Sequence, residues 1–174
     1  MADWCEILAL RPEAAAAVEY FCQNEAITTE KGKTGMTVIV NDTGFVPDDV
    51  AAPYVALADL AAEAHATNLA VDLMPGSDPA LLRTALARIS LIRIGFPAFS
   101  DGRGFTIARS LRAMGYAGRL RAQGHVLADQ YAMARRAGFD EIEISDDLAA
   151  RQTEDQWLSR ADWRAHDYQS RLRD

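Results

Sequence analysis

The chain has 174 residues, 49% of them hydrophobic, and a formal net charge of −7 at pH 7. That length suits one domain with a sizeable core better than two, no apolar run approaches the roughly 20 residues of a membrane span, and the negative charge opposes the phosphate attraction behind non-specific nucleic-acid binding. A single domain over residues 1–174, with neither a nucleic-acid nor a membrane role, is expected.

The N-terminal stretch MADWCEILALRPE carries Asp3 and Glu6 where a secretory signal needs positive charge, so a cytoplasmic location is expected. Cys5 and Cys22 have neither CxxC spacing nor a nearby histidine to complete a zinc pattern, and two thiols fall short of the four that usually hold an iron–sulfur cluster. No metal site and no cofactor motif is evident. The run RPEAAAAVEYFCQNEA reads as a helix, TGMTVIVN as a strand ending in the turn residues Asn41 to Gly44, and DVAAPYVALADLAAEAHAT as a further helix, apolar at helical spacing.

From residue 69 a strand, turn and helix pattern repeats. NLAVDLMP reads as a strand, and GSDPALLRTALARI as a helix with Ser77 or Asp78 as its cap and Pro79 in its first turn. SLIRIGF, GRLRAQG and DEIEIS read as three more strands, separated by the helices of SDGRGFTIARSLRAMG and HVLADQYAMARRAGF. Strands alternating with helices imply a parallel sheet. The expected fold is α/β, a mostly parallel sheet of about five strands, open and doubly wound, with a partial βα barrel as second choice because a closed barrel needs about 200 residues or more. Residues 69–145 form the repeat core. Trp157, Trp163 and Tyr168 stand among charges in residues 151–174, which either pack on the domain or serve as a docking tail.

In a parallel sheet the strand-to-helix loops gather at the carboxyl edge, and candidate site residues are sought there. Residues 103–136 hold seven arginines against one acid, Asp129. In SDGRGF, Gly102 and Gly104 permit close backbone approach, the helix start offers free N–H groups, and Arg103 can close a fork on an oxyanion. Arg109 joins it if the loop folds back, and Arg121 adds a further cation. The competing reading is architectural: Asp101 caps the helix and Arg103 pairs with Asp129 or another acid. Arg121 and Gln123 share one face of their strand, and a buried Arg121 needs a carboxylate, for which Asp129 or Asp101 is available. Asp101, Arg103, His125 and Asp129 are the catalytic candidates, with His125 beside Gly124 placed as acid or base. Asp72, Gln123, Gly124 and Gln130 are supporting residues.

The stretch FSDGRGFTIARSLRAMGYAGRLRAQGHVLADQYAMARRAGFD, residues 99–140, follows a dense ordered pattern: aromatic–x–DGRG–aromatic, then AR–x–LR, G–x–LRA–x–G–x–VL–x–DQ and R–x–GFD. It resembles small bacterial proteins of a family of unknown function commonly labelled an oxidoreductase involved in sulfite reduction. The resemblance implies a setting in assimilatory sulfur metabolism, since such proteins are typically encoded beside sulfite reductase. It carries no established catalytic residue.

Three functions are expected as alternatives. The first is an accessory protein of sulfate and sulfite reduction that binds a sulfur oxyanion, a phosphorylated or adenylylated intermediate, or the reductase itself. The second is an enzyme acting on a phosphate- or sulfate-bearing substrate or in redox chemistry. The third is an interaction module whose DGRG and DQ residues form a purely architectural network. The expected partners are a small oxyanion or a sulfur-assimilation enzyme, with a homodimer as a further option.

Overall fold

The computed structural model describes residues 37–50, 53–63 and 65–165. The helix expected at 11–26, both cysteines, His166 and Tyr168 lie outside the described residues. Among the described residues seven strands make one open sheet: β1 Thr37–Asn41, β2 Gly44–Val46, β3 Tyr54–Ala56, β4 Leu69–Leu73, β5 Ile89–Phe96, β6 Arg119–Gly124 and β7 Glu141–Ser145, in the order β2-β1-β7-β6-β5-β4-β3. Strands β3 to β7 are parallel, and β1 pairs antiparallel with both β2 and β7. The sheet is thus open and mostly parallel, as expected, with two antiparallel strands added at one edge and no closure into a barrel.

The parallel strands follow chain order without a reversal, so the sheet lacks the switch point of the expected doubly wound arrangement. Right-handed crossovers that keep advancing in one direction place their connections on one face. That face carries Val71, Leu73, Ile92, Ile94, Leu120, Ala122, Ile142 and Ile144, which pack with Ile107, Ala108 and Leu111 of α1 (Arg103–Ala113) and with Tyr131, Ala134 and Ala137 of α2 (Tyr131–Ala137). Each fully buried Leu or Ile contributes about 1.5–3 kcal/mol. Side chains alternate across a strand, so the other face receives Asp72, Arg93, Arg121, Glu141 and Glu143.

Two expected helices are absent among the described residues. The described residues within 49–67 hold β3 and a short 3-10 turn, Leu57–Asp59, in place of a helix. Pro53 disfavours helical backbone before it, and Tyr54 and Val55 suit an edge strand, where they pair with Ala70 and Val71. Residues 76–89 form two 3-10 turns, Pro79–Leu82 and Leu86–Arg88. The Asp78 carboxylate caps the first by accepting from Ala80 N at 2.9 Å, and Pro79 occupies its first position, both as the sequence suggests. Leu82 and Ala85 still reach the core.

After β7 come α3 (Asp146–Arg151) and α4 (Glu154–Leu158). The Ser145 hydroxyl caps α3, so Asp146 and Asp147 sit in its exposed first turn. Trp157 is 1% exposed, meets Tyr131 edge to face at 6.0 Å, and donates to the Gln152 carbonyl at 3.2 Å. Trp163 accepts at its carbonyl from Arg136. Trp157 thus belongs to the domain's own packing, and the half-buried Trp163 ring lies 5.4 Å from the Arg135 guanidinium carbon.

Candidate functional site

The helix start at the end of β5 is set by packing. Phe96, Phe105 and Phe139 form an aromatic trio with ring centroids 5.0, 5.9 and 6.2 Å apart. Gly104 is buried against them, and a Cβ there would drive into the Phe96 ring. It lets α1 lie close to β5. Gly124 is likewise structural: its φ is +113°, and a Cβ would come within 2.6 Å of the Phe96 carbonyl oxygen. Gly102 differs. Its φ is −82°, and a Cβ would meet nothing within 4 Å.

The anion at the start of α1 is the protein's own. Asp101 Oδ1 accepts from Arg103 N at 3.2 Å and from Arg103 Nε at 2.9 Å, while Oδ2 accepts from Nη2 at 2.6 Å. The Arg103 guanidinium holds the Asp101 carboxyl below its usual range. Arg103 thus pairs with Asp101, the residue expected to cap the helix, while Asp129, the partner named for it, pairs with Arg160; the loop carboxylate already complements the helix end.

The DGRG turn and the DQ turn meet on one rim. Gln130 Nε2 donates to the Phe99 carbonyl at 2.7 Å, and its Oε1 accepts from Leu127 N at 3.1 Å. Between them runs an open groove of about 500 Å3, lined among others by Phe99, Gly102, Phe105, Arg109, Gln130 and Met133. Arg109 does face the same groove as the glycine loop, and it is exposed. Among the described residues it makes no hydrogen bond or ion pair. Phe99 is 59% exposed and Met133 43% exposed.

The four catalytic candidates do not form one constellation. Asp101 pairs with Arg103, whereas Asp129 is exposed and pairs with Arg160 at 2.7 Å. The exposed His125 donates its backbone N–H to the Phe96 carbonyl at 2.9 Å. No hydrogen bond joins His125 or Asp129 to the Asp101–Arg103 pair among the described residues.

Arg121 lies on the opposite face of the sheet, away from the groove, and is 0% exposed. Its carboxylate partners are Asp48, Glu141 and Glu143, in place of the expected Asp129 or Asp101: Nη1 and Nη2 fork onto Asp48 at 3.0 and 2.9 Å, Nε donates to Glu141 at 2.7 Å, and Nη1 reaches Glu143 at 3.3 Å. Beside it Arg119 forks onto Asp49 and bonds Glu141. Asp72, expected at the rim, forks onto Arg93 at 3.0 and 2.8 Å, with the Tyr54 ring stacked 3.7 Å from the guanidinium carbon. Gln123 sits on this face in register with Glu143. Burial works against the charge of Arg93, but the hydrogen bonds from its side chain to Asp72 outweigh it and raise its pKa. Burial raises the Tyr54 hydroxyl as well.

This polar face was invisible as a unit in the sequence. Arg93, Tyr54, Asp48 and Asp49 carried no signal of their own. The matching i, i+2 spacing of Arg119 with Arg121 and of Glu141 with Glu143 is the one pattern that pairs them, once the two strands are known to be neighbours. Three guanidinium groups face five carboxylates there, so the face has no spare positive charge for an anion.

The arginine-rich segment resolves in the same way. Arg112 donates to the carbonyls of Gly138, Tyr116 and Gly118 and to Asp140, and Arg135 pairs with Asp42. Most of the cluster is internal stitching. Among the described residues no group of three or more side chains is arranged to hold a metal ion, and no helix is long and apolar enough to cross a membrane.

Fold and groove together define a mostly parallel, open α/β protein with a charged sheet face and a mixed apolar and cationic surface at the carboxyl rim. A family model described as "Bacterial protein of unknown function (DUF934)" matches residues 70–174, and the chain belongs to that family. The match takes in the repeat core and continues through the C-terminal segment. No curated protein and no solved structure matches the chain.

Proposed function

We propose that the protein is an accessory factor of assimilatory sulfite reduction that acts by docking on an enzyme of that route, through the groove between α1 and the turn before α2. The observation that carries this reading is the pairing of exposed Phe99 and Met133 with the uncommitted Arg109 along one groove. Solvent-exposed large apolar side chains around an arginine are the composition of protein contact surfaces. The sulfur setting rests on the resemblance of residues 99–140. An enzymatic reading has less support, because Asp101 and Arg103 are tied to each other, Asp129 is tied to Arg160, and no hydrogen bond joins His125 to either pair among the described residues.

A second reading is favoured by Arg109 alone: a small sulfur oxyanion bound in the same groove against its guanidinium. Size-exclusion chromatography of the full chain with purified sulfite reductase, and with the enzymes that reduce activated sulfate, tests the first reading. Co-elution that Phe99→Ala weakens supports it. No co-elution with any of them, together with calorimetric binding of sulfite or sulfate that Arg109→Ala abolishes, favours the second.

A further inference from the structure

We infer that the groove at the start of α1 takes an acidic peptide segment of the partner, with one large apolar side chain seated between Phe99 and Met133 and a carboxylate on Arg109. This rests on the docking reading above and names the chemistry of the docked element.

Charge supplies the first argument. The chain carries −7 overall, yet the α1 sequence RGFTIARSLRA contains no acid, and Asp101, the carboxylate at the helix start, is taken up by Arg103. Arg109 therefore presents an unbalanced positive charge to the groove, and an acidic guest complements it.

The shape of the groove supplies the second. It is an open groove lined by the half-buried ring of Phe105 and by the exposed apolar side chains of Phe99 and Met133. A free inorganic anion gains nothing from those apolar groups, whereas a peptide side chain buries them.

Gly102 supplies the third. Gly104 and Gly124 are explained by contacts with Phe96, but nothing in the fold requires a glycine at 102. Its bare backbone leaves room for the docked chain to pass close to the first turn of α1.

The test uses the full chain labelled with nitrogen-15 and three blocked hexapeptides. One has four acidic residues around a central Leu-Phe pair, one has lysines in place of the acids, and one keeps the acids around Gly-Ser. The acidic apolar peptide is expected to shift amides within 99–109 and 130–133, with affinity about tenfold or more above either control. Arg109→Glu should lower that affinity by a similar factor, and Gly102→Ala should weaken it without changing the melting temperature. Equal binding of the lysine peptide, shifts confined to other residues, or no shifts overturns the inference. So does saturation of these amides by sodium sulfite with no competition from the peptide. If the peptide binds but no sulfur enzyme does, the functional reading falls and the inference stands. If sulfite reductase binds the Arg109→Glu variant as well as it binds the native chain, the inference falls and the reading stands.

Discussion

Arg121 and Asp48 lie 73 residues apart in the chain and are joined by two parallel hydrogen bonds of 3.0 and 2.9 Å on the polar face of the sheet. The connection between β2 and β3, which occupy opposite edges, is thereby fastened to the middle of the sheet. Arg121 is fully buried with Glu141 and Glu143 beside it. Replacing it with methionine leaves buried carboxylates without their cation, which costs about 3–5 kcal/mol. Urea unfolding should show a midpoint lowered by a corresponding amount, with Asp48→Asn giving a smaller loss.

Acid should destabilise the fold through the same contacts. Burial opposes the charge on Asp48, but hydrogen bonds from Arg121 and from Val50 N outweigh it and leave its pKa below the usual value. At Asp42 burial is likewise outweighed, by Tyr131 and Arg135. A carboxyl whose folded pKa lies below its unfolded value of about 3.9 stabilises the folded state above that value, and the contribution is lost as pH falls through the folded pKa. Chemical denaturation midpoints should be flat from neutral pH down to about 5 and fall from about 4 downward. The Asp48→Asn variant should fall less steeply.

The two glycines of DGRG should respond oppositely to alanine. At Gly104 the new methyl collides with the Phe96 ring and costs about 1–3 kcal/mol. At Gly102 the space is open and φ is ordinary, so the change stays within about 0.5 kcal/mol. Thermal melts of the two variants side by side check the difference.

Trp157 should behave as a core residue. Its 1% exposure and its packing on Tyr131 predict a loss of about 3–5 kcal/mol for Trp157→Ala. Truncation before residue 156 should give a chain that no longer unfolds cooperatively, which circular dichroism on heating would reveal.

Much of the fold was legible because parallel strands between crossovers are short apolar runs with clear turn residues. β4, β5, β6 and β7 fall where NLAVDL, SLIRIGF, GRLRAQG and DEIEIS place them. The segment 49–67 was not legible. Its alanines and leucines match a helical period, and only the need to pair with Ala70 and Val71 turns Tyr54 and Val55 into an edge strand. At the site, the meeting of the DGRG and DQ turns follows from the shared rim of parallel strands, and Gln130 bonded to Phe99 realises it. Arginine clustering misled, because sequence distance does not reveal which guanidinium groups find acids across strands. Arg121 finds Asp48, Glu141 and Glu143, and Arg109 finds none among the described residues.

Hydrogen exchange of the protein, alone and in complex with sulfite reductase, tests the central claim most directly. The account predicts new protection over residues 99–109 and 130–133, where Arg109, Phe99 and Met133 line the groove. Protection confined to the charged strands around Arg93 and Arg121, with the groove exchanging as in the free protein, would contradict it.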